Sequence, residues 1–135
     1  MAAGVYKLLV DKGSRKTLKL TRRNPSTTPG VKGDPKDLTG YGCRGQVKTK
    51  ANDETALMSF DCLIPGQSII ENLGIIYVDI LPSKTSAIPT KGKNYAEKTT
   101  LYYDIELFSL VDEEDVIRIL NGDFVLSPEQ TTSLT

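Results

Sequence analysis

The sequence predicts an all-β fold, a sandwich or barrel of about seven short strands in one domain, and three observations carry that reading. In the C-terminal third Leu101, Tyr103, Ile105 and Leu107 alternate with Tyr102, Asp104, Glu106 and Phe108, the two-residue period of a strand with one buried face. Turn signals rich in Pro, Gly, Asn and Asp interrupt the apolar runs at short intervals. No segment shows a convincing amphipathic helical period, so the strands must pack on one another.

Residues 5–10 read as the first strand, closed by the turn Asp11-Lys12-Gly13-Ser14. Residues 17–21 alternate as the second, with Leu18 and Leu20 inward and Lys19 outward. Residues 24–37 hold three prolines, two glycines and one apolar side chain, Val31, and read as a long polar loop. Residues 42–50 form the next strand, with Cys43, Gly45 and Val47 on one face and Arg44, Gln46 and Lys48 on the other. Residues 56–64 follow as a strand that Pro65-Gly66 breaks, and residues 69–73 fit either a short strand or a helical turn.

Residues 74–81 carry apolar side chains on both faces around Ile75 and Val78, as a strand in the middle of a sheet does. Residues 82–89 read as a single helical turn packed by Ala87 and Ile88, and residues 90–100 as a second polar loop, rich in lysine. The chain ends in a long hairpin. Residues 101–108 and 116–126 are its strands, the acidic run Asp112-Glu113-Glu114-Asp115 is its tip, and Ser127-Pro128-Glu129 stops it because proline cannot continue a ladder. In the last strand Ile117 and Ile119 are out of phase with Phe124 and Leu126, which predicts a β-bulge near Asn121-Gly122. The tail 130–135 is polar and is expected to fray.

The 135 residues form one expected domain, long enough to bury a core without metals or disulfides. Lys and Arg balance Asp and Glu at 17 each, and zero net charge argues against a dedicated nucleic-acid partner. No run approaches the roughly 20 apolar residues of a membrane-spanning helix, and the N-terminus lacks the charged and apolar regions of a secretory signal. Folding is therefore expected in a cytoplasm. The absence of histidine removes Ser-His-Asp and Cys-His nucleophiles, histidine acid–base catalysis and histidine-ligated zinc or haem. Catalysis by Lys, Asp, Glu or Tyr would need a constellation the sequence does not show, so the chain reads as non-enzymatic, with no cofactor, no metal and no small-molecule substrate.

Cys43 and Cys62 lie on neighbouring predicted strands, where they are either bridged or, in the favoured reading, two buried free thiols. The acidic tip lacks the alternating ligands of a calcium loop and reads as a solvated turn. Gly30-Val31-Lys32-Gly33 lacks the Gly-Lys-Ser/Thr ending of a phosphate loop. The lysine-rich loop, with Lys91, Lys93 and Lys98 around Tyr95, could stack on a base or follow a phosphate backbone, but zero net charge favours a solvated loop or a positive patch meeting an acidic neighbour. If Tyr103 points inward, Tyr102 and Phe108 point outward, where they either mark an interface or pack against the second sheet or a covering loop. The candidate interface is thus Val31, Lys32, Lys91, Lys93, Tyr95, Lys98, Tyr102 and Phe108.

Four segments occur together in order: Asp37-Leu38-Thr39-Gly40-Tyr41 before a Cys/Arg/Gln/Val strand, the Ser/Thr/Ala turn at 82–89, Tyr103-Asp104-Ile105-Glu106-Leu107, and Arg118-Ile119-Leu120-Asn121-Gly122-Asp123-Phe124-Val125-Leu126-Ser127-Pro128-Glu129. Across residues 17–131 this set resembles a family of small tailed-phage virion proteins, similar to the immunoglobulin-like N-terminal domain of phage upper baseplate proteins. The resemblance implies an immunoglobulin-like antiparallel β-sandwich. It also implies a structural part of a virion, assembled in the host cytoplasm, that contacts other phage proteins in a symmetric ring or lattice at the tail or baseplate. The loops at 24–37 and 90–100 exceed the family's usual connections, and such insertions are where a shared scaffold acquires its own partner. A capsid decoration or head-to-tail connection protein is the alternative in the same class. A carbohydrate-binding module is the alternative in another, weakened by the lack of tryptophan platforms.

Overall fold

The computed structural model describes residues 4–89 and 98–128. Its strands are β1 (Gly4–Val5), β2 (Leu8–Asp11), β3 (Lys16–Thr21), β4 (Tyr41–Lys48), β5 (Met58–Leu63), β6 (Ile75–Ile80), β7 (Thr99–Ser109) and β8 (Val116–Ser127). A 3₁₀ turn spans Ile70–Asn72 and a one-turn helix, α1, spans Pro82–Ser86. The stretch that fitted strand or helix is therefore the 3₁₀ turn, and the described residues hold two helical turns where one was expected.

The strands follow one path, β1-β8-β7-β4-β5-β6-β3, with β2 also on β8. This path bends into two layers because β5 changes partners along its length. Met58, Ser59 and Phe60 pair with β4, and Asp61, Cys62 and Leu63 pair with β6. The result is a sandwich with the immunoglobulin order. β3 and β6 pair as strands B and E, while β4, β7 and β8 run together as C, F and G.

Pairing is antiparallel except at the N-terminus, where β1 and β2 run parallel to β8. The run at 5–10 is two short strands with a break at Tyr6-Lys7. Gly122 and Tyr103 explain the break. Gly122 has φ +148°, and a Cβ there would lie 2.5 Å from the Tyr6 carbonyl oxygen, so only glycine lets the N-terminal chain cross β8 this closely. The same carbonyl accepts a hydrogen bond from Tyr103 Oη, and Tyr6 N donates to Asn121 O at 2.9 Å. The β-bulge lies elsewhere: Ile105 faces Leu120 and Glu106 faces Arg118, which leaves Ile119 as the extra residue, before Asn121 and Gly122 rather than at them.

The core forms where the inward residues of the two layers meet. Leu8 and Val10, Val47, Leu101, Tyr103, Ile105 and Leu107, and Phe124 and Leu126 line one layer; Ile76, Val78 and Ile80 line the other, with Leu18 and Leu20 beside them. The inward facing of Leu18 and Leu20, of the odd-numbered residues of β7, and of Val47 follows the alternation of the sequence. Phe60 sits at the bend, with its ring 6.2 Å from Tyr103 and 6.0 Å from Phe124. Leu38 and Ile88 are buried from the connecting segments, whereas Ala87 is exposed. No helix among the described residues is long and apolar enough to cross a membrane.

Burial raises the Tyr103 phenol from the ordinary 10 to about 12. Folding favours its neutral form, so its contribution is complete below pH 10 and is lost as the pH rises towards 12. Tyr103→Phe should cost about 1 kcal/mol at pH 7 in urea unfolding and flatten the alkaline limb of the stability–pH curve. Gly122→Ala should cost about 1–3 kcal/mol, with hydrogen exchange accelerated first at the Tyr6 amide.

Candidate functional site

The topology gathers three connections at one end of the sandwich: residues 22–40 between β3 and β4, 64–74 between β5 and β6, and 110–115 between β7 and β8. These correspond to the B–C, D–E and F–G loops of an immunoglobulin fold. Apolar side chains concentrate there. Val31, Ile69, Ile70, Leu110 and Val111 are exposed on the three loops, Ile70 at 79% and Val111 at 90%. An isolated exposed apolar residue is ordinary; these five are set apart by falling on the three loops at one end.

The loops that carry them are stitched together. Gln67 is the hub: its Oε1 accepts from Leu38 N at 3.0 Å and Gly74 N at 2.9 Å, while its Nε2 donates to Pro65 O and Asn72 O, both at 2.9 Å. Arg22 N donates to Gly74 O at 2.7 Å, and Lys36 N donates to Arg22 O at 2.9 Å. Gly74 sits at φ +75° in this junction, and a Cβ would lie 2.5 Å from Arg22 O, so the approach requires glycine. Leu110 N donates to Gly40 O at 2.8 Å, tying the hairpin tip to the same platform.

The Asp37 to Tyr41 segment follows physically from this junction. Asp37 Oδ1 accepts from Thr39 N and Oγ1, bonds that hold its carboxyl below the usual range. Leu38 is buried, Gly40 makes the turn at φ +81°, and Tyr41 opens β4. Tyr41 Oη donates to Asp115 Oδ2 at 3.0 Å, which raises the phenol above its ordinary value, and Lys36 Nζ lies 5.0 Å from the centre of its ring. Within the tip, Asp112 Oδ1 accepts from Glu114 N and Asp112 O accepts from Asp115 N. Among the described residues no group of three or more Cys, Asp or Glu could hold a metal ion.

The described members of the interface expected from sequence lie on different parts of the molecule. Val31 and Lys32 lie on the loop platform. Lys98 is exposed just before β7 and belongs to the β6–β7 connection, whose flanking strand ends lie at the opposite end of the sandwich. Lys91, Lys93 and Tyr95 fall outside the described residues, as does the tail 130–135. Tyr102 and Phe108 point outward as expected, but both are half-buried with partners of their own. Tyr102 Oη accepts from Asn121 Nδ2 at 3.3 Å, and the Phe108 ring covers Gly42 under the Arg44 guanidinium, 4.8 Å from its centre.

Sequence reasoning missed Ile69, Ile70, Leu110, Val111 and Gln67. The available signal was weak: an Ile-Ile pair after Pro-Gly-Gln-Ser and a Leu-Val pair before four acids, each readable as part of a buried strand.

Gln67→Ala should strand the Leu38 and Gly74 amides and cost about 2–3 kcal/mol in denaturant unfolding. Faster hydrogen exchange at those two amides is the local sign. Among known proteins, no family model and no curated protein matches the chain.

Proposed function

We propose that this chain is a non-enzymatic structural component of a tailed-phage particle, an adaptor at the tail or baseplate that docks neighbouring proteins in a symmetric assembly. The observation that carries the reading is the loop platform: five exposed apolar side chains on a backbone already fixed by hydrogen bonds. A surface ordered before it binds loses little conformational freedom on docking, so its apolar area converts efficiently into affinity. The sandwich behind it serves as a rigid spacer. The motif resemblance favours a virion over other assemblies, and the motif Asp37 to Tyr41 lies within the platform itself.

In purified particles of the phage that encodes it, the protein should occur at fixed stoichiometry. Its absence from them would overturn the proposal. The double variant Ile70→Asp/Val111→Asp should unfold within about 0.5 kcal/mol of the parent, because both positions are exposed. Its incorporation into particles should fall at least about tenfold, as expected for charged groups forced into an apolar contact. Localising the protein in particle density separates tail from capsid placement.

A further inference from the structure

The strand switch in β5 carries a second feature, independent of the proposed assembly. In the β4–β5 register Gly45 faces Phe60 and Val47 faces Met58, so one more step along the ladder sets Cys43 opposite Cys62. The ladder stops at Gly45 and Phe60. Beyond it Cys43 stays on β4 opposite Leu107, while Cys62 turns to β6 opposite Val78. The two thiols therefore stand on either side of the point where the sheet divides, both free, half-buried and packed on the core.

Their side chains pack on the core from the inward faces of the two strands, near enough to act on each other's ionisation, which lowers Cys62 and, with burial, raises Cys43. Burial and Asp61 oppose the Cys62 thiolate, and Lys84, whose Nζ bonds Asp61 at 2.8 Å and Ser59 O at 2.9 Å, favours it. Both cysteines are only partly buried, which leaves a small reagent an approach.

We propose that Cys43 and Cys62 are a redox-modification site that closes to an intramolecular disulfide by exchange with a small-molecule disulfide such as oxidised glutathione, stapling β4 to β5 at the strand switch. Cys62, as thiolate, attacks one sulfur of the reagent, forming a mixed disulfide and expelling one thiolate, which takes up the Cys62 proton. Cys43 then loses its proton and attacks the Cys62 sulfur, and the second reagent sulfur leaves as thiolate and is protonated. Two protein thiols are oxidised to one disulfide, and one reagent disulfide is reduced to two thiols.

The test uses the folded, full-length chain, incubated with oxidised glutathione without denaturant and then alkylated. The expected product is a monomer about 2 Da lighter that has lost both alkylatable thiols and is restored by a dithiol reductant. Its thermal midpoint should lie about 5–10 °C above that of the reduced chain. Cys62→Ser should form its glutathione adduct at Cys43 more slowly than Cys43→Ser does at Cys62. A stable mixed disulfide on the parent protein, an intermolecular dimer, two thiols that stay alkylatable, or a midpoint no higher than that of the reduced form would each overturn the proposal.

Discussion

One constraint organises the molecule: β5 must supply hydrogen-bond partners to β4 with its first half and to β6 with its second. Without that division, the path of strands would be a single sheet with its apolar face open to water. With it, the β3–β6 layer folds over the β4–β7–β8 layer, and the inward side chains of both become a core. The bend depends on Gly45 and Phe60. A Cβ at Gly45 would lie 2.6 Å from the Phe60 ring, so the missing side chain is what lets that ring lie across the corner and reach Tyr103 and Phe124.

The same division sets the surface. Because β5 ends and β6 begins at the end where β3 hands over to β4, the connections 22–40 and 64–74 become neighbours, and Gln67 can bond both. The outer face of the β4–β7–β8 layer is occupied differently. Arg44 bonds Glu106 at 3.0 Å and covers Phe108, and Asp104 has its carboxyl raised by burial and by the adjacent Glu106. That face is largely satisfied by its own side chains, whereas Ile70 and Val111 have little cover within the chain.

The legible parts of the fold were those that alternation determines. β7 buries Leu101, Tyr103, Ile105 and Leu107 because a two-residue period admits one inward set. Pairing is not written in periodicity. Nothing local says that Leu8 to Asp11 will run parallel to β8, or that the chain breaks at Tyr6, since both depend on Tyr103 and Gly122 more than 90 residues away. Gly122 was recognisable as a special position, but its need is room for the Tyr6 carbonyl; the extra residue is Ile119, which carries no glycine to mark it. The candidate site divided in the same way. Val31 and Lys32 stood out in a long polar loop, whereas Ile69, Ile70, Leu110 and Val111 resembled core residues because hydrophobicity alone does not report exposure.

The zero net charge conceals an arrangement that bears on what can dock. In the first loop Arg22, Arg23, Lys32 and Lys36 outnumber Asp34 and Asp37, the third carries Asp112, Glu113, Glu114 and Asp115, and the stack of Lys36, Tyr41 and Asp115 joins the two. The platform therefore presents apolar tips framed by positive charge on one side and negative charge on the other. A polyanion would gain from the first loop and be repelled by the third. A folded neighbour with its own divided charge would gain from both, but in one orientation only, because turning it would set like charges together around the apolar contact. In the proposed assembly, a platform of this kind would fix the orientation of a partner as well as its affinity, and placing a subunit in a symmetric arrangement requires both.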